Sequence, residues 1–128
     1  MKKKVLLVDD ERSFTNLLQL NLEQTGRYEV RVVNVPEDAL PTAQEFIPDI
    51  VLLDIIMPRM PGGNVVAQFE ADPVLKETPI VFLTAAVRRS RVEEMDGMVS
   101  GIPCLPKPAS LEDILAMIEK QTSGSVDE

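Results

Sequence analysis

The sequence predicts an α/β protein: a five-stranded parallel sheet, doubly wound, with five helices on its two faces. Two observations lead there. Short apolar runs alternate strictly with helically spaced apolar residues along the chain, and that alternation requires parallel strands joined by right-handed crossovers. The length, 128 residues, is one domain's worth and allows roughly two-thirds of the unfolded surface to be buried.

Each element has its own signature. Residues 4–8 form a near-continuous apolar run ending in acids, the mark of a strand buried on both faces. From about 12 to 25, Phe14, Leu17, Leu18 and Leu22 recur at helical spacing, and Gly26 stops the helix. Tyr28–Val33 alternates polar and apolar residues and is rich in β-branched side chains, so it reads as a second strand. A helix over about 36–46 accommodates Pro36 in its first turn, whereas Pro41 removes a backbone donor and is expected to kink it. Residues 49–53 form the third strand and end in Asp54. A loop rich in Pro, Gly and Met follows over 55–63, then a short amphipathic helix over 64–70. The fourth strand, 79–83, ends in Thr84, and a polar, Arg-rich segment over 88–98 is predicted to be helical. Residues 102–105 form a short, proline-flanked strand suited to a sheet edge. Ser110 with Asp113 makes a capping-box-like start to the last helix, whose apolar face is Leu111, Ile114, Leu115 and Ile118. The polar tail from Thr122 is expected to fray, giving a domain over 1–121 and a flexible tail or linker over 122–128.

Composition excludes several classes of function. Acids outnumber bases 21 to 13, a formal charge of −8, and a surface of that sign disfavours direct binding to nucleic acid. Histidine is absent, which removes His-ligated zinc, imidazole-based triads and any phosphohistidine carrier role. The single cysteine, Cys104, excludes an internal disulfide or a cysteine metal cluster and fits a reducing compartment. Lys2-Lys3-Lys4 precedes an apolar run too short for a secretion signal, and no window is long enough to span a bilayer. A cytoplasmic location without membrane contact is therefore expected.

Ligands of a doubly wound sheet sit beyond the carboxyl ends of its strands, where this chain carries Asp9, Asp10, Asp54 and Thr84. Singly, each has an ordinary structural reading: a helix cap, a solvated turn acid or, for Lys107, a surface lysine. Together the three carboxylates repel one another and require a cation or raised pKa values. A hard divalent ion such as Mg²⁺ suits them, since it takes one or two carboxylates with waters and phosphate oxygens. A hydroxyl and an ammonium then suit the other oxygens of a phosphoryl group, so the set points to phosphoryl chemistry.

Over about residues 3–121 the chain resembles a response regulator receiver domain of bacterial two-component signalling, of the chemotaxis-regulator type. The resemblance rests on Val8-Asp9-Asp10, Asp54-Ile55-Ile56-Met57-Pro58, Thr84-Ala85-Ala86 and Lys107-Pro108, in that order after the first, third, fourth and fifth strands. It implies a flavodoxin-like sheet of order 2-1-3-4-5. It implies that Asp54 is the phosphoacceptor and Asp10 a direct ligand of Mg²⁺ (or Mn²⁺). Asp9 would hold the ion mainly through water, and the Ile56 backbone carbonyl would complete the protein ligands. Thr84 and Lys107 would bind phosphoryl oxygens, and the Lys107–Pro108 bond is expected to be cis. The implied function is a phosphorylation-controlled signalling switch, not an enzyme, although it assists its own phosphorylation and dephosphorylation. Its partners would be a histidine kinase or phosphotransfer protein, and a downstream protein target or a homodimer through the 88–121 face.

The chain departs from this pattern in places. Cys104 stands where the family usually has a tyrosine or phenylalanine that turns inward with the switch residue Thr84. Ile56 and Ala86 stand where polar groups often orient the hydrolytic water, so a long-lived phosphoform is expected. Arg88, Arg89 and Arg91, with Met95, Met98 and Val99, make a candidate output surface. Three other functions compete. A degenerate receiver acting as a constitutive binding module is disfavoured by the complete site. A Mg²⁺-dependent phosphatase needs an acid where Ile56 stands. A flavin- or dinucleotide-binding domain is disfavoured because no glycine-rich phosphate loop follows the first strand.

Overall fold

Val5, Leu6, Leu7 and Val8 leave the first strand without a polar side, and Lys3–Val8 (β1) accordingly lies inside the sheet with both faces covered. The structure, a computed structural model, describes residues 2–85, 97–99 and 101–123. On one side β1 pairs in parallel with Tyr28–Val33 (β2), and on the other with Ile50–Leu53 (β3). Ile80–Thr84 (β4) continues the sheet beside β3. Beyond it, Met98–Val99 (β5) pairs antiparallel with Ile102–Pro106 (β6), which is itself parallel to β4. The sheet order is β2-β1-β3-β4-β6-β5, so the five parallel strands stand in the expected order and a two-residue strand is added.

That addition corrects two expectations. Met98 belongs to a strand and not to the end of a helix; the rest of the expected 88–98 helix, apart from Gly97, lies outside the described residues. The pairing of Val99 with Ile102 leaves two residues to connect the strands, the second being Gly101 at φ 80°, which is hairpin geometry. The last parallel strand is therefore not a bare edge. The Cys104 N–H donates to the Gly97 carbonyl at 2.9 Å. Alternation puts Pro106 on the same side but past β5, where lacking an N–H leaves no donor exposed.

Four α-helices occur among the described residues: Arg12–Gln24 (α1), Ala39–Phe46 (α2), Gly62–Glu70 (α3) and Leu111–Ser123 (α4). Leu18 and Leu22 of α1 and Ile114 and Ile118 of α4 pack on one face of the sheet against Val5, Leu7, Val30 and Leu52. On the other, Ala39 and Ala43 of α2 and Val65 and Phe69 of α3 pack against Leu6, Val8, Val51 and Leu53. Leu17, expected in the core, is 60% exposed, and Thr15 is buried instead. A 3₁₀ turn over Pro36–Asp38 precedes α2, so Pro41 falls in its first turn, where no intrahelical acceptor is lost.

Away from the acid-bearing strand ends, α4 is tied to the sheet. Tyr28 donates its hydroxyl to Glu119 at 2.6 Å, and Lys3 reaches Glu119 at 3.0 Å and the Thr122 hydroxyl at 2.7 Å. Thr122 and Ser123 thus continue the helix two residues beyond the expected end. Asp49 joins β1 to β3 by donating its N–H to the Lys4 carbonyl at 2.8 Å and accepting the Lys4 N–H at 2.7 Å. No helix among the described residues is long and apolar enough to cross a membrane.

Candidate functional site

The chain crosses from β2 on one side of β1 to β3 on the other, and this reversal of strand order opens a crevice at the carboxyl ends of β1 and β3. Both strands run one residue past their last rung into it. The Asp9 N–H donates to the Val33 carbonyl and the Asp54 N–H to the Val8 carbonyl, each at 3.0 Å. Asp9 is 3% exposed, Asp54 is half-buried and Asp10 is exposed. Each offers a carboxylate oxygen within 4.8 Å of the others, so the three acids predicted to meet do meet.

Strand β6 delivers the lysine. Its register sets Pro106 beside Thr84, which is buried, and the next N–H, that of Lys107, donates to the Thr84 carbonyl at 2.8 Å. The Lys107–Pro108 bond is cis. From there the Lys107 ammonium reaches Asp9 Oδ2 at 2.7 Å and Glu11 Oε1 at 3.3 Å, and lies 3.9 Å from the centroid of the Phe14 ring.

Burial and pairing oppose each other here. Burial pushes the Asp9 carboxyl above its ordinary value; the Lys107 hydrogen bond, the Glu11 N–H (3.0 Å) and the lysine charge offset this only in part. Burial pulls the Lys107 ammonium down, but Asp9, Asp54 and Glu11 outweigh it, and the net shift is upward. The lysine is therefore held as a cation. Asp9, Asp10, Glu11 and Asp54 outnumber it, which leaves a net negative, oxygen-lined cluster. Hard oxygen donors with uncompensated negative charge fit a divalent cation of the magnesium type.

Several residues of this region were not singled out by sequence reasoning. Glu11, at the N-terminal cap of α1, and Phe14, in its first turn, touch the lysine. Asn34, just after β2, donates to the Asp9 carbonyl at 2.8 Å and to the Thr15 hydroxyl at 3.0 Å. Gly62 opens α3 against the acid-bearing loop: a Cβ there would fall on the Asp54 carbonyl oxygen and 2.9 Å from Ile55 Cα. Sequence reading placed Gly62 in the loop and began the helix at 64, whereas the helix begins at Gly62 itself.

The loop after Asp54 is tightly turned. Met60 donates its N–H to the Pro58 carbonyl at 2.8 Å around Arg59, at φ 71°, and Arg59 pairs with Glu37 at 3.3 Å. Ile56 donates its N–H to Asp54 Oδ1 at 3.4 Å while its side chain is 66% exposed. Cys104 is 2% exposed within the core that includes Phe82, and burial raises its thiol pKa. Ala86, Arg88, Arg89, Arg91 and Met95 lie outside the described residues.

Comparison with known proteins agrees with this geometry. The family model described as the response regulator receiver domain matches residues 5–119. The chain is 34% identical over 120 residues to the alkaline phosphatase synthesis transcriptional regulatory protein PhoP of Bacillus subtilis, covering 93% of this chain and 48% of the relative. It is also 34% identical over 116 residues to the transcriptional regulatory protein TrcR of Mycobacterium tuberculosis, covering 90% and 43%. The chain thus spans about half the length of the curated relatives it matches. Among solved structures, the chemotaxis protein CheY4 of Vibrio cholerae superimposes with a TM-score of 0.80 at 30% identity, covering 94% of this chain and 99% of that one. A putative response regulator from Chloroflexus aurantiacus gives a TM-score of 0.80 at 25% identity, covering 96% and 99%.

Proposed function

Because this chain belongs to the response regulator receiver domain family, whose members accept a phosphoryl group on an aspartate in two-component signalling, we propose that Asp54 is that aspartate, served by Asp9, Asp10, Thr84 and Lys107. The observation that carries this is the meeting of three carboxylates within 4.8 Å beside an ammonium 2.7 Å from one of them.

An Asp54 carboxylate oxygen attacks phosphorus in line, a new P–O bond forms, and the bond to the donor breaks with its electron pair leaving on the donor. The product is an aspartyl phosphate. Lys107 shifts hydrogen bonds from Asp9 and Glu11 to the phosphoryl oxygens, and the Thr84 hydroxyl donates to another. Asp9, Asp10, Asp54 and the Ile56 carbonyl would hold Mg²⁺, which when bound neutralises charge on the phosphoryl oxygens. The chain has no histidine, so the donor is another molecule. Receiver domains interact with histidine kinases or phosphotransfer proteins, and either supplies a phosphorylated imidazole.

The Ile56 side chain has no polar atom to orient an attacking water, which favours a long-lived phosphoform. The output remains a downstream protein or a second copy through the 88–121 face, reached from Thr84 without the inward turn of an aromatic at Cys104. A cytoplasmic setting suits its unpaired thiol.

The test is incubation with Mg²⁺ and a small-molecule phosphodonor, followed by intact mass of wild type and Asp54→Ala. One stable phosphate adduct, absent from the variant, is expected. No adduct on wild type would overturn the reading, and steady release of phosphate would favour a hydrolase.

A further inference from the structure

We infer that Phe14 is a positioning residue for Lys107, holding its ammonium beside the phosphoryl site through the face of its ring. This rests on the reading of Asp54 and Lys107 given above. Four cations lie over aromatic rings among the described residues. Lys4 and Arg27 stand 5.5 Å from their ring centroids and Arg31 4.6 Å, while Lys107 stands 3.9 Å from that of Phe14. The Lys107 side chain is also only 12% exposed, and a cation–π attraction strengthens as water is removed from the cation.

Phe14 packs against the core from its edge, but packing alone does not call for an aromatic ring. Phe14 is half-buried in the first turn of α1, and a cleft of about 120 Å³ lies beside it, bounded by Leu18, Leu111 and Ile114. A leucine could fill such a groove, but only an aromatic ring presents a negative face to the ammonium. The chemistry makes that face useful. Lys107 must exchange carboxylate partners for a phosphoryl group, and a carboxylate holds it by directed hydrogen bonds that have to break. The ring attracts the charge without using a particular N–H, so it keeps the ammonium in place while its other partners change.

The test is a series at position 14: Tyr, Leu, and phenylalanines of increasing ring fluorination, which weaken the negative face at nearly constant shape. The rate of phosphorylation by a small donor in Mg²⁺ is followed by intact mass, melting temperature is measured for each variant, and the Lys107 ε-protons are assigned by NMR. Phe14→Leu is expected to slow phosphorylation by about threefold to tenfold, Phe14→Tyr to retain the rate, and fluorination to lower it stepwise at unchanged melting temperature. The ε-protons should be shifted upfield by the ring in wild type and return in Phe14→Leu. A flat rate across the fluorinated series, or ε-protons at ordinary positions in wild type, would overturn the inference while wild type still gains its phosphate on Asp54. A wild type that gains no phosphate would overturn both this inference and the reading beneath it.

Discussion

Gly62 shows how one absent methyl can decide the shape of a site. Its would-be Cβ meets backbone atoms of Asp54 and Ile55, which cannot swing aside as a side-chain end would. Gly62→Ala is therefore expected to destabilise the fold by about 1–3 kcal/mol and to slow phosphorylation by moving the Asp54 loop; a urea titration and the mass assay check the two effects. The opposite sign is expected at Ile47. It ends α2 at φ 52°, an unfavourable conformation for a β-branched residue, with 45% of its surface exposed and its N–H on the Ala43 carbonyl at 2.8 Å. Ile47→Gly should raise stability by about 0.5–1 kcal/mol, read as a higher urea midpoint at unchanged slope. At this scale the sequence showed its acids plainly, because strand-end carboxylates stand out against apolar runs. Glu11 and Phe14 were not legible, since their role depends on a lysine 96 residues beyond Glu11 that only the fold brings near.

Elements are joined by polar ties that no periodicity reveals. Tyr28 on β2 and Lys3 on β1 both bond Glu119 on α4. Burial, then the bond to Glu119, pushes the Tyr28 phenol up to about 12 from 10.0. Its folded value is raised, so its contribution is complete below the unfolded value near pH 10 and is lost as pH climbs towards 12. Glu119 moves the other way: the Tyr28 and Lys3 bonds lower its pKa from 4.5, so its contribution is present above that value and fades as pH falls below it. Tyr28→Phe should cost about 1–2 kcal/mol at neutral pH and flatten both limbs, as measured by chemical denaturation across pH; an unchanged alkaline limb would contradict this. Most helices and strands among the described residues were legible from apolar spacing, but β5 and several boundaries were not. Pro41 suggested an interior break because the start of α2 was placed three residues early. Met98 of β5 was read as the end of a helix because a two-residue strand is too short to show alternation, whereas β6 was legible as a strand.

For the whole molecule, the alternation of elements was enough to give a parallel, doubly wound sheet and the gathering of strand-end acids beyond its carboxyl edge, while the order of its strands followed from the resemblance to receiver domains. Concentrating that charge leaves a repulsion that a divalent cation relieves. Mg²⁺ at a hundred times its Kd should stabilise the fold by about 2.7 kcal/mol, an effect seen as a raised melting temperature and lost in Asp10→Asn. Chelation with EDTA should abolish phosphorylation while leaving the fold intact. If melting is indifferent to Mg²⁺ in wild type, the cluster does not bind the ion. The aspartyl phosphate, once formed, should persist for more than a few seconds in Mg²⁺, and self-dephosphorylation within that time would contradict the role given to Ile56.

The β6 strand carries a consequence of its own. Within it the Cys104 amide closes onto the hairpin at Gly97, while just past its end the Lys107 amide closes onto β4 at Thr84. Hydrogen–deuterium exchange at these two positions therefore separates opening of the hairpin from opening of the site. If phosphorylation loosens the first and tightens the second, the strand acts as a lever with its fulcrum between them. If both change together, it moves as one piece, and the signal leaves through whatever is packed on it.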